Sequence, residues 1–138
     1  VKQMRYFHNL YGIIHLTDQF HITAGFDYGM EQVSKGSSDF NSWYSPVVIV
    51  RYDLNDTWSV AARGEYYADE NGVIIATGTE NGFKTTGFSL NLDCRIRDNA
   101  VWRIEGRILN SEDNIFNDAD GGAVNSNTAV TTSLAISF

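Results

Sequence analysis

Twelve charged residues occupy odd-numbered positions in runs whose even positions are largely apolar: Asp27, Glu31, Arg51, Asp53, Arg63, Glu65, Asp93, Arg95, Arg97, Arg103, Glu105 and Arg107. On neighbouring strands, charges of both signs at this spacing form a mixed ladder on one wall. Such a ladder suits a hydrated passage, where opposed charges set a constriction and tune ion selectivity. It equally suits a salt-bridge network that fills a narrow barrel and keeps its interior charges paired. A barrel of about eight strands has room only for its own side chains, so width decides between the two. The strand count below and the scarcity of bulky aromatics on most of this face favour the passage. The expected lining is Arg51, Arg63, Glu65, Asp93, Arg95, Arg103, Glu105 and Arg107.

Other chemistries find weaker support. His8, His15 and His21 have no Ser or Cys nucleophile in motif context, so they read as rim residues rather than members of a hydrolytic site. Acidic residues gather in the long connections, among them Asp39, Asp69, Glu70, Glu80, Glu112, Asp113, Asp118 and Asp120. Divalent-cation binding or a cation-attracting vestibule is one reading of them, and solvated loops the plainer one. Asn117-Asp118-Ala119-Asp120-Gly121-Gly122 has a faint likeness to a calcium loop but lacks the distal Glu. No zinc motif or phosphate-binding glycine loop occurs, and the single Cys94 excludes an internal disulfide. Neither a metal, a cofactor nor catalysis is expected. The net charge of -7 argues against a nucleic-acid partner.

The elements that must position the charges are strands. Approximate strands run over Arg5–Thr17, Phe20–Glu31, Trp43–Leu54, Thr57–Asp69, Thr85–Arg97, Val101–Asn110 and Thr128–Phe138. Tight turns at Asp18-Gln19, Asn55-Asp56 and Asp98-Asn99 alternate with long loops rich in Gly, Ser, Asn and Asp. Within the middle long loop, VIIATG is expected to extend a strand. Alternation over one period of two throws successive side chains to opposite faces. The strand from Thr85 shows it well: Phe88, Leu90, Leu92, Cys94 and Ile96 against Ser89, Asn91, Asp93, Arg95 and Arg97.

Alternation leaves open which face is inside. In a soluble barrel the apolar face points inward, and in a membrane barrel it points outward. The aromatics favour the second. Phe20, Tyr52, Trp58, Trp102 and Phe138 lie at the short-turn end of the even face, and Tyr28, Tyr44 and Tyr66 at the long-loop end. Between them sit Ala24, Val48, Val50, Val60, Ala62, Leu90, Leu92 and Ile104. Two aromatic girdles around an aliphatic band are what two membrane–water interfaces select. The mean hydropathy of -0.25 is compatible with this, because half of each strand faces a polar interior. No apolar run approaches the ~20 residues of a membrane helix.

The final strand alternates Val130, Leu134, Ile136 and Phe138 with small polar residues and resembles the C-terminal strand of Gram-negative outer-membrane barrels. That resemblance implies recognition by the outer-membrane assembly machinery, short turns in the periplasm and long loops outside. The opening VKQMRYFHN has no secretory leader, so a processed chain or a fragment is expected. Seven strands that end in the periplasm must start outside, whereas single-chain bacterial barrels have an even count. The expectation is the C-terminal part of a larger barrel, with further strands or other chains closing it.

The stretch VVIVRYDLNDTWSVAARGEYYADENGVI, followed by L-x-L-D-C-R and R-I-E-G-R, resembles the OmpL-like β-barrel porins, well over about residues 40 to 138 and weakly over the first forty. By position, Arg51, Arg63, Glu65, Asp69, Arg103, Glu105 and Arg107 correspond to charged wall and rim positions. The resemblance implies an all-β antiparallel transmembrane barrel in the Gram-negative outer membrane, surrounded by lipid and lipopolysaccharide, that passes small hydrophilic solutes or ions. Alternatives are a small closed outer-membrane barrel with a structural or adhesion role, and a soluble lipocalin-like ligand-binding barrel.

Overall fold

The computed structural model describes residues 3–138. Seven long strands form one antiparallel meander: β1 (Arg5–His15), β2 (Phe20–Gln32), β3 (Phe40–Asp53), β4 (Trp58–Asp69), β5 (Phe83–Arg97), β6 (Ala100–Ser111) and β9 (Ser126–Ile136). A small hairpin, β7 (Phe116–Asn117) with β8 (Ala123–Val124), sits in the last long loop. Each long strand pairs with its sequence neighbour, and β6 pairs with β9. The edges of β1 and β9 do not pair with each other, so the barrel wall is not closed.

Local chemistry explains the short turns. Thr17 Oγ1 accepts from the amides of Gln19 and Phe20, closing the first turn. Asn55 Oδ1 accepts from the amides of Thr57 and Trp58, closing the second. Both are side-chain substitutes for a backbone turn. The third turn is tied to the end of β9: Asn99 Nδ2 donates to the Ser137 carbonyl, and the Ser137 amide donates to the Asn99 carbonyl.

Burial is inverted relative to a soluble domain. Trp43, Ala61 and Ala68 are the only buried hydrophobic residues among those described, whereas Ser59, Asp69, Thr85, Ser89, Asp93 and Ser111 are all buried. Meanwhile Phe88 and Leu90, in the middle of β5, are 56% and 57% exposed. A single sheet can shelter one face without a second layer only by curling. Odd residues from Ile13 and His15 on β1 to Arg103 and Glu105 on β6 line one open hollow of about 490 Å³. The odd face is therefore concave and the apolar even face convex.

Several expectations need correction. The last strand ends at Ile136, and Phe138 lies beyond it, fully exposed. VIIATG does not extend a strand, because Asp69 draws its backbone into a folded loop, described below. A register shift between Arg95 and Arg97 sets Arg97 opposite Ala100, on the side of Trp102, so this arginine leaves the concave face. On β3 the odd positions include Trp43, Val47 and Ile49 beside Arg51 and Asp53, so alternation there is weaker than on β5.

Candidate functional site

The concave face brings the charged residues into three groups, and the small odd residues of β5 make this possible. Glu65 on β4 lies opposite Gly87, whose missing side chain leaves room: a Cβ there would sit 2.7 Å from Glu65 Cγ. Glu65 thereby reaches across β5 to accept from Arg107 on β6, while also accepting from Arg63 on its own strand. Arg63, Ser89 and Arg107 are register partners across β4, β5 and β6, so two guanidiniums flank one carboxylate. In the second group, Arg103 Nε and Nη2 donate to Asp93 Oδ1 and Oδ2, both at 2.6 Å, and Asn91 Nδ2 donates to Asp93 Oδ1 at 2.9 Å. That is the bidentate fork that makes Arg–carboxylate pairs strong.

The third group was not foreseen as a unit. His15 and His21 are register partners across the first hairpin, with their Nδ1 atoms 2.7 Å apart. His21 Nε2 is 3.2 Å from Asp53 Oδ2, and Arg51 Nε donates to Asp53 Oδ1 at 2.9 Å. Their placement three residues to either side of Asp18 was the available signal. Arg95 stands apart near the short-turn end, exposed and without an ion pair among the described residues. Glu105 faces the same hollow as Arg103. All eight residues expected to line the interior lie on the concave side.

At the long-loop end the decisive residue is Asp69, fully buried at the end of β4. Its Oδ1 accepts from the Val73 amide at 2.8 Å, and its Oδ2 accepts from the amides of Ile74 and Ile75 at 2.7 and 2.8 Å. This folds loop 70–82 back over the concave face. Ile75 joins Glu65, Tyr67, Phe83, Gly87 and Arg107 around a hollow of about 210 Å³. Gly82 closes the loop at φ +65°, where a Cβ would meet the Asp69 carbonyl oxygen at 2.6 Å. Asn81 then clasps the next long loop: its amide and Nδ2 donate to the two carboxylate oxygens of Asp113 at 2.9 and 3.0 Å. The Asn81 side chain and backbone hold the Asp113 carboxyl below its ordinary value. In the β7–β8 loop, Asp118 Oδ1 accepts from the Asp120 and Gly122 amides, so the supposed calcium loop uses this carboxylate to close its own hairpin.

The convex face carries the aromatics in two rows. Tyr28 and Tyr44 are register partners, and the Tyr44 and Tyr66 rings lie 6.0 Å apart. At the other end Tyr52 pairs with Phe20, and Cys94 stands between Trp58 and Trp102. Trp102 Nε1 donates to Thr132 Oγ1 at 2.8 Å, anchoring that end of β6 to β9. Tyr44 and Tyr52 are eight residues apart on β3. At ~3.3 Å per residue this is about 26 Å along the strand, or roughly 20 Å of depth at a ~40° tilt. That is close to the ~25 Å apolar band of an outer-membrane barrel.

An antiparallel meander with charged pairs sheltered on its concave side and exposed aliphatics between two aromatic rows is the wall of a transmembrane β-barrel. The family described as "Putative beta-barrel porin-2, OmpL-like" matches residues 1–138, and the chain belongs to it. The match includes the first forty residues, where the sequence likeness was weakest. The family is porin-like, and its barrels are in general outer-membrane proteins. No curated protein and no solved structure matches the chain.

Proposed function

We propose that this chain forms part of the wall of an outer-membrane pore through which small hydrophilic solutes or ions diffuse passively, without catalysis. The observation that carries the reading is the inverted burial: guanidinium–carboxylate groups on the concave face, bare aliphatic side chains on the convex one. Burying such ion pairs in a closed core gains little over a hydrophobic replacement. Around water, the same groups keep a passage wet and charged. Arg51, Arg63, Glu65, Asp93, Arg95, Arg103, Glu105 and Arg107 would line it, with loop 70–82 narrowing it from the long-loop end.

In this reading Tyr28, Tyr44 and Tyr66 contact the outer-leaflet interface, next to lipopolysaccharide, and Tyr52, Trp58 and Trp102 contact the periplasmic one. Phe138, beyond the end of β9, belongs to the same periplasmic level and to the segment read by the assembly machinery. The free edges of β1 and β9 would pair with further strands of the same protein or of other chains, since no lipid group can satisfy them.

The test is conductance of the full-length protein in planar bilayers, with swelling of liposomes in sugar solution as a second measure. Stepwise conductance and swelling are expected. A folded, inserted protein that gives neither would leave a structural or adhesion role as the better account.

A further inference from the structure

We infer that the pore wall formed by β3 to β6 selects small anions, although the chain as a whole is acidic. This rests on the pore reading above and names its substrate class. The net charge of -7 belongs largely to the long loops, and the concave face is different. In its ion pairs the guanidinium stands toward the hollow and the carboxylate lies beneath it. The arginine side chains of Arg51, Arg63, Arg103 and Arg107 are 40–47% exposed, against 10–28% for their partners Asp53, Glu65 and Asp93. A solute moving along this wall meets guanidinium tips first.

Two further observations point the same way. Glu65 is shared between Arg63 and Arg107, and the strand residues lining this face are Arg51, Arg63, Arg95, Arg103 and Arg107 against Asp53, Glu65, Asp93 and Glu105, one positive charge in excess. In addition, the Nε atoms of Arg63 and Arg107 are buried donors without a partner. The more exposed partner of each of these ion pairs is the guanidinium donor, the complement of a carboxylate, phosphate or halide.

The test is the reversal potential of the full-length protein in a planar bilayer across a potassium chloride gradient. One net positive charge about 8 Å from the ion path, screened at ~0.1 M salt, gives roughly a two-fold preference for chloride over potassium. Arg95→Glu reverses an exposed, unpaired charge and is expected to move the reversal potential to the potassium side. Arg107→Gln leaves Glu65 its partner Arg63 and is expected to reduce the preference without abolishing conductance. Conductance with equal or cation-favouring permeability, unmoved by Arg95→Glu, would overturn the anion inference and leave the pore standing. Absence of any conductance would overturn both.

Discussion

Replacing Asp69 by Ala tests whether loop 70–82 is held over the concave face by one carboxylate. Three backbone amides donate to that carboxylate at 2.7–2.8 Å. Hydrogen bonds to a charged group contribute about 1.5–3 kcal/mol each, so the gross loss is about 5–9 kcal/mol. Most of this is recovered if the loop swings out and water solvates the freed amides, a route open because Ile74 is already exposed. A net loss of about 3 kcal/mol would raise the population of the released loop roughly 150-fold. Asp69→Asn gives an intermediate effect, since its carbonyl oxygen can still accept from Ile74 and Ile75 while its amide group opposes the Val73 N–H. A glutamyl endopeptidase reports the release, because Glu70 and Glu80 lie within the loop. When closing is fast, cleavage tracks the open population, and the expected order is Ala faster than Asn, and Asn faster than wild type. Single-channel conductance should rise in the same order. Equal cleavage and equal conductance for all three proteins would refute the seat.

Gly87→Val puts a side chain where Glu65 crosses β5, and the overpacking should cost about 1–3 kcal/mol, read as a lower urea midpoint in detergent or lipid. Leu90→Arg places a charge at the middle of the convex face and should destabilise by about 2–4 kcal/mol, whereas Asn91→Arg, one residue further and on the concave face, should cost less than half as much. An equal or reversed ranking in urea unfolding from vesicles would mean the faces are assigned the wrong way round. The clasp between Asn81 and Asp113 should be pH-dependent: the folded Asp113 carboxyl lies below its ordinary value of 3.8, so its contribution is complete above that value and disappears as pH falls through the lowered one. Hydrogen exchange at the Asn81 amide checks this, with Asp113→Asn expected to remove the dependence.

The long strands and their two faces were legible because a period of two is written directly into Phe88, Leu90 and Leu92 against Ser89, Asn91 and Asp93. The turns were legible from Asn55 and the Thr17–Phe20 segment, whose side chains replace backbone partners locally. Within loop 70–82 only VIIATG reads as a strand extension, because Val73, Ile74 and Ile75 are strong strand formers. Three buried bonds to Asp69, at the end of the preceding strand, outweigh that propensity. Arg97 was misassigned because a single bulge inverts parity, and nothing in the alternation marks where the extra residue falls.

By itself, the sequence determined which residues share a face, where the chain turns, and that aromatics bracket an aliphatic band. Those are short-range properties, set by φ/ψ preference and by the spacing of side chains along one strand. Only the tertiary structure decided which face is concave, because alternation is unchanged when a sheet curls the other way. It also decided the partners of each charge. Glu65 meets Arg107 because β5 places Gly87 between them, a relation between three strands that no single stretch of sequence contains.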